Sequence, residues 1–344
     1  MNELISPFVN KKLMPKIRYP LPLKLAGVGR YLPKRLITSA ELEAKFGIEK
    51  GWTERKMGVR ERRWVEDETP AFMCAEAARE AIEDAGLKVS DIDLIINTSQ
   101  SNDKIFPDGS TQVQQELGLG HSGIPSMSMA SSCLTYLVAM DIAANFLAAG
   151  LYHNILITDA NYSSATLDFN KPEACLLMGD GAAAAVVTRT PKGEKSCLKA
   201  SLMETYGSSG DHSFMGDGDV STVLFDKEVT HQDFVMDYDA DLLHRSFMKY
   251  YQKFNARLWP KDKYDHLKLI IPNQANKWIV LYLKMSFPKD KIMVTLDGHG
   301  NVGSTGFAIG FYEAVRQKRI ERGDLVFSSG AGSGITLAGM VFIY

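Results

Sequence analysis

Cys133 is the residue of this chain best placed to do covalent chemistry. It lies in S-M-S-M-A-S-S-C-L-T-Y-L, where a strand-like apolar run, Ser126 to Ser132, meets a long apolar helix expected over Leu134 to Leu147 and closed by Gly150. A thiol on the first turn of a helix feels the positive end of the helix dipole, which favours the thiolate. Amide hydrogens left unpaired at the same helix start can receive an oxygen that becomes negative during acyl transfer. That chemistry is nucleophilic catalysis through a thioester. The competing reading is a core cysteine that does nothing but pack. Cys74, Cys175 and Cys197 occupy no such junction and read as core or surface residues.

Other reactive groups exclude more than they suggest. The four cysteines are far apart and form no C-x-x-C pair, so neither a zinc site nor a disulfide framework is expected. His299 stands in G-H-G-N; His121, His153, His212, His231, His244 and His266 fall in no motif. Of 344 residues, 45% are hydrophobic and 23% charged, as in an ordinary globular protein of two domains or one large duplicated one. A net charge of −2 argues against a broad nucleic-acid-binding surface. No secretory leader and no spanning run of ~18 apolar residues is evident, which points to a reduced, cytoplasmic, soluble protein.

The elements that must hold Cys133 in place follow from pattern. Residues 1–22 read as an extended, Pro- and Lys-rich N-terminal extension, followed by a strand at Leu23 to Val28 and a helix near Ala40 with Ser39 as its cap. The basic stretch Lys50 to Trp64 reads as a solvated loop. Helices are expected at Pro70 to Gly86 and Thr111 to Leu117, and buried strands at Asp93 to Ser99, Asn154 to Asp159 and Ala182 to Thr188. The grammar then repeats. It gives helices at Asp241 to Phe254, Gln274 to Lys284 and Ser304 to Gln317. It gives strands at Leu267 to Ile271, Lys291 to Thr295, Leu325 to Ser329 and Thr336 to Phe342. Alternating strands and helices indicate an α/β architecture, with one half over 23–200 carrying the nucleophile and a second over 201–344.

Five segments recur together and in order. They are the run around Cys133, M-G-D-G-A-A-A-A-V-V (Met178 to Val187), P-N-Q-A-N (Pro272 to Asn276), D-G-H-G-N-V-G-S (Asp297 to Ser304) and G-A-G-S-G (Gly330 to Gly334). Together they resemble β-ketoacyl-acyl-carrier-protein synthase III and its relatives in secondary metabolism, over Leu23 to Tyr344. The resemblance implies a five-layered αβαβα thiolase fold with two similar halves. It implies a homodimer, no metal or redox cofactor, and substrates carried on the phosphopantetheine of acyl carrier protein or coenzyme A. It implies an acyl group loaded onto Cys133, then Claisen-type condensation with a second carrier-protein-bound thioester, malonyl or β-ketoacyl.

The resemblance also locates the remaining site residues and one departure. Asn301 matches the catalytic asparagine, whereas Asn273 stands where the family has a catalytic histidine. An amide donates a hydrogen bond to an enolate oxygen as a neutral imidazole does, but it moves no proton near neutral pH. Losing proton transfer costs ~10²–10⁴ in rate for steps that need it. Asn273 therefore leaves three readings open: a substitution that traps the acyl-enzyme, a natural variant that transfers acyl groups to a hydroxyl or amine, or a catalytically silent partner subunit. The oxyanion amides match Cys133 and Ser333, the latter usually Gly. His299 matches a position whose usual role is structural. Trp52 matches a residue beside the coenzyme adenine, with Lys56 in place of Arg and Trp278, shortly after Asn276, in place of a second basic residue. A ring cannot pair with phosphate as a cation does, which favours carrier-protein donors. Arg55, Lys56, Arg60, Arg62 and Arg63 are the candidate docking residues for an acidic carrier protein. Phe106 matches a residue that lines the partner's acyl pocket, and Leu134 and Thr135 reshape the cavity beside the nucleophile.

Overall fold

The computed structural model describes residues 20–104, 106–215 and 235–344. Most of the expected N-terminal extension, and His231, lie outside them.

The chain opens with β1 (Leu21–Pro22), β2 (Lys24–Tyr31), β3 (Arg35–Thr38), α1 (Ser39–Phe46), α2 (Trp52–Met57) and β4 (Glu61–Trp64). It continues through α3 (Pro70–Asp84), β5 (Leu94–Asn97), α4 (Gly109–Glu116), β6 (Ser126–Ser128), α5 (Thr135–Ala149), β7 (Asn154–Asn161), α6 (Pro172–Leu177) and β8 (Gly181–Thr188). The remainder contains β9 (Cys197–Ser209), β10 (Ser213–Met215), β11 (Met236–Tyr238), α7 (Ala240–Leu258), β12 (Leu269–Pro272) and α8 (Lys277–Ser286). It closes with α9 (Leu296–His299), α10 (Thr305–Arg316), β13 (Leu325–Gly332) and β14 (Gly334–Ile343).

Two five-stranded sheets dominate, in the orders β2-β8-β7-β5-β6 and β1-β9-β14-β13-β12. Each buries apolar side chains on both faces over its central strands, and strand parity sorts the side chains. In β7, Ile155 and Ile157 enter the central core, while Leu156 and Ala160 enter the core beneath α3. In β13, Val326 faces the centre and Phe327 faces α7 and α8. The middle is filled by α5 and α10, so the layers run helix, sheet, helix pair, sheet, helix. Small residues make the outer approach close. A Cβ on Gly27 would lie 2.2 Å from the Ala81 carbonyl oxygen, so α3 seats its alanine face directly on β2.

Several expectations need correcting. The stretch from Lys50 to Trp64 is not a solvated loop: it holds α2 and β4, and Arg62 within it is fully buried. Charge count hid the two-residue alternation that puts Arg62 and Trp64 on the inner face. The strand expected at Lys291 to Thr295 reduces to a single bridge between Ile270 and Ile292. The helix expected near Ala40 is capped by Thr38, whose hydroxyl accepts from the Glu41 amide. The thirteen residues of β9 escaped the sequence reading, because alternate positions along much of this strand are polar. The window Ser132–Ala149 is long and apolar enough to cross a membrane by length and composition, although Asp141 keeps it from being an uncharged run. It coincides with α5 in the central layer, and half of it is buried.

Candidate active site

Cys133 sits just ahead of α5, whose N-cap is Leu134, so the thiol lies one residue outside the helix rather than on its first turn. The local chain is tightly bent. Ser132 has φ 48°, in the left-handed region, and Thr135 ties the bend by donating from Oγ1 to the Ser132 carbonyl at 2.8 Å while accepting from the Ser131 amide at 2.8 Å. Leu134 is fully buried in the central core, so the next side chain anchors the junction while the cysteine remains half-buried.

The β13–β14 turn covers this junction. A Cβ on Gly332 would lie 3.2 Å from the Cys133 nitrogen, and the Ser132 hydroxyl donates to the Ser333 carbonyl at 3.4 Å. Neither the Cys133 amide nor the Ser333 amide is consumed by a loop or cap hydrogen bond among the described residues.

Asn273 follows the last residue of β12 and is buried, its amide donating to the Ser329 carbonyl at 3.2 Å. Gly330 is what admits it: a Cβ there would stand 2.7 Å from the Asn273 Cβ and 3.1 Å from Leu134 Cδ2. One glycine therefore joins the Asn273 segment to the nucleophile's neighbour. Asn301 is fixed from four directions. Its amide donates to the Leu177 carbonyl at 2.9 Å and its own carbonyl accepts from Gly179 at 3.0 Å. Its Oδ1 accepts from the Gly303 amide at 3.0 Å, and its Nδ2 donates to the Ala275 carbonyl at 3.3 Å. One of the two Nδ2 hydrogens stays available.

Gln274 supplies the link the sequence reading missed. Its Nε2 donates to the Met293 carbonyl and to Thr295 Oγ1, both at 3.1 Å, and its Oε1 accepts from the amides of Thr295 and Leu296 at 2.9 and 3.2 Å. It thereby binds the Asn273 segment to the one that leads into Asn301. Its sequence signal was a glutamine wedged between two asparagines of one motif.

The expected lowering of the thiol's pKa is not what the surroundings give. Dense packing raises the Cys133 pKa above its ordinary value; the residue's own amide pulls it down and the Asp159 carboxylate pushes it up. Being one residue outside the helix weakens the dipole's help, which fades within the first turn. His299 serves elsewhere: its Nε2 lies 3.5 Å from Glu313 Oε1, and Glu313 also pairs with Arg30. The hydrogen bond from His299 is the largest cause of the low carboxyl pKa of Glu313, about 2.

The residues expected at the substrate entrance divide. Trp52 begins α2 and packs partly buried in a cluster with Trp64 and Met178. Lys56 is exposed. The cation of Lys277 is already committed, donating to the Arg55 carbonyl at 2.7 Å at the end of α2. Trp278 does not stand free: its ring lies 4.2 Å from that of His244 and stacks on Tyr282 at 5.7 Å. Asn276 caps α8, its Oδ1 accepting from the Ile279 amide at 3.0 Å. Arg62 is withdrawn as a docking residue, since it points inward to the Ser39 hydroxyl and the Leu176 carbonyl; burial lowers its pKa to about 10. Phe106 is 88% exposed.

Two stacked sheets around a central helix pair, with a cysteine at a strand–helix junction, define an α/β enzyme of the thiolase fold. The relatives carry this further. The family described as 3-oxoacyl-[acyl-carrier-protein (ACP)] synthase III matches residues 127–207, and its C-terminal counterpart matches residues 262–344. The β-ketoacyl-[acyl-carrier-protein] synthase III of Aquifex aeolicus is 30% identical over 329 residues, covering 93% of this chain and 99% of that protein. The synthase III 1 of Bacillus cereus is 29% identical, covering 91% and 96%. The crystal structure of the Aquifex aeolicus enzyme superposes with a TM-score of 0.84 at 29% identity, covering 94% of this chain and 100% of that one. The chain belongs to the 3-oxoacyl-acyl-carrier-protein synthase III family.

Proposed function

We propose that this enzyme takes an acyl group from a thioester onto Cys133 and then joins it to a second, carrier-protein-bound thioester. In the first half-reaction the thiolate sulfur attacks the acyl carbonyl, the carbonyl oxygen takes up charge opposite the Cys133 and Ser333 amides, and the donor leaves as a thiolate that takes a proton from water. In the second, a malonyl thioester loses carbon dioxide, and the resulting enolate carbon attacks the acyl carbon. The carbon–carbon bond forms as the bond to Cys133 breaks, returning the thiolate. No electrons are left over, so the substrates' own phosphopantetheine is the only carrier the sequence calls for. Asn273 and Asn301 would hold the enolate oxygen by hydrogen bonds alone.

The observations that support this reading are the close approach of Gly332 to the Cys133 nitrogen, the place of Gly330 between Leu134 and Asn273, and the hydrogen bond from Asn301 to the Ala275 carbonyl. With Asn273 in place of a titratable base, loading is expected to outrun condensation. A second reading, transfer of the acyl group to a hydroxyl or amine, gains from the same residue because it needs no decarboxylation. A silent partner subunit is the third. The test is incubation with acyl-coenzyme A and acyl-carrier-protein thioesters, followed by intact-mass measurement and product mass. An adduct that disappears in Cys133→Ser, with a product lengthened by carbons, supports condensation. An ester or amide product supports transfer, and no adduct supports the silent subunit.

The surroundings of this reading are proposals too. The halves 23–200 and 201–344 divide the nucleophile from the enolate-holding amides. The exposed Phe106 suits a homodimer in which it enters the partner's acyl pocket. The free thiols suit a reducing cytoplasm.

A further inference from the structure

Strand β4 lies against two segments that bridge each other at Met178 and Asn301. It pairs with β3, Arg62 opposite Ile37, and alternation turns Arg62 and Trp64 to the buried side. Both side chains reach the end of α6. The Arg62 Nη2 donates to the Leu176 carbonyl, and the Trp64 Nε1 donates to the Met178 carbonyl at 3.0 Å. The carbonyl between them, that of Leu177, accepts from the Asn301 amide at 2.9 Å. Three successive carbonyls where α6 ends, which no further turn of helix can satisfy, are thus held in order by Arg62, Asn301 and Trp64.

Arg62 also sits where the two segments press together. A Cβ on Gly179 would lie 2.1 Å from the His299 carbonyl oxygen and 3.1 Å from Arg62 Cβ. One on Gly300 would lie 2.5 Å from the Leu177 carbonyl oxygen and 3.5 Å from Arg62 Cβ. The main chain of β4 fastens the same pair. The Arg60 amide donates to the Asp297 carbonyl, and the Asp180 amide to the Arg63 carbonyl, both at 2.8 Å.

A buried cation is a poor means of gaining stability. Arg62 is fully buried, and with its pKa lowered to about 10 it is still charged at neutral pH. Its other bond goes to the neutral Ser39 hydroxyl at 3.1 Å, and its Nε hydrogen has no partner. An apolar side chain of similar volume in such a place is often as stable or more so. What the guanidinium provides is a charge-assisted bond of fixed direction to one chosen carbonyl.

We propose that Arg62 is a positioning residue for carbon–carbon bond formation: with Trp64 it brackets the Leu177 carbonyl and so fixes the Asn301 side chain where it meets the enolate oxygen. The inference rests on Asn301 holding that oxygen. Asn301 keeps one Nδ2 hydrogen on the Ala275 carbonyl and has one to offer, so a shift of its main chain displaces the offered hydrogen. Loading of Cys133 uses amides on other segments and is spared.

The test measures Cys133 loading from acyl-coenzyme A beside condensation with malonyl-acyl-carrier protein, in the natural chain and in Asn273→His. It also follows the side-chain amide signal of Asn301 by NMR after asparagine-selective isotope labelling, assigned by its loss in Asn301→Asp. Arg62→Met keeps the bulk and removes the cation. Its loading is expected to stay within about twofold while condensation falls roughly 10–100-fold, the cost of a reacting group held about 1 Å out of place. The Asn301 signal should shift, and that of Asn154, which donates to the Asp91 carbonyl at 2.8 Å, should not. Arg62→Lys, still cationic but without the planar fork, should fall between the two. If Arg62→Met fails to fold, Trp64→Phe, which keeps a ring and loses the indole N–H, carries the test with the same pattern and a smaller loss. Loading and condensation that fall together, or an unmoved Asn301 signal in a folded variant, overturn the proposal and leave the reaction standing. Absence of a carbon–carbon product from both the natural chain and Asn273→His overturns the condensation reading itself.

Discussion

On the side of the first sheet, the candidate site holds Cys133 ahead of α5. On the side of the second, it holds Asn273 and Asn301, both amides, at the end of β12 and just beyond α9. The first region contains a group that gains and loses a proton; the second contains groups that only donate and accept hydrogen bonds. Their construction differs in the same sense. The Cys133 bend is held by a threonine hydroxyl and a single buried leucine, and the cysteine is half-buried. The asparagine segments are locked to each other through Gln274 and Ala275 and to α6 through Leu177. A region that loads and releases a covalent group keeps access; a region that stabilises charge on a bound group gains from rigidity.

Removing or restoring the titratable group on the second side gives the largest contrast. Asn273→His is expected to raise condensation by ~10²–10⁴, the worth of general acid–base catalysis, with loading of Cys133 little changed. Product formation measured beside single-turnover loading checks this, and an unaltered product rate would show that proton transfer does not limit the step. Next in size is Gln274→Ala. It leaves the buried Thr295 and Leu296 amides without partners, at roughly 1–3 kcal/mol for each orphaned group. Denaturant unfolding should register that loss, and condensation should fall more than loading because Asn301 shifts with its segment. The smallest effect belongs to His299→Gln, which loosens the contact with Glu313. It should cost about 1 kcal/mol of stability and leave the pH dependence of loading where it was. A moved profile would bring His299 into the chemistry.

Much of the architecture was legible before any coordinates. Buried strands at Asn154 to Asp159 and Ala182 to Thr188 announced themselves as continuous apolar runs, and helices such as Pro70 to Asp84 by their repeat and caps. Elements whose burial is one-sided or shared with charge were missed. Arg62 looked like surface because its partners, Ser39 and the Leu176 carbonyl, are 23 and 114 residues away. The expected strand after Lys291 dissolved because Ile292 and Met293 reach the core from irregular backbone.

What the order of residues determined alone is the chemistry on offer: one cysteine at a strand–helix junction, one asparagine in P-N-Q-A-N and another in H-G-N. Local pattern suffices for that, since side-chain type and the period of burial are properties of short segments. Folding decided the charge on the thiol and the coupling between the asparagines. Those depend on the packing around Cys133 and on Gly330 and Gln274 joining distant strands, and the dielectric and the hydrogen-bond partners of a buried group exist only once the sheets have closed around it.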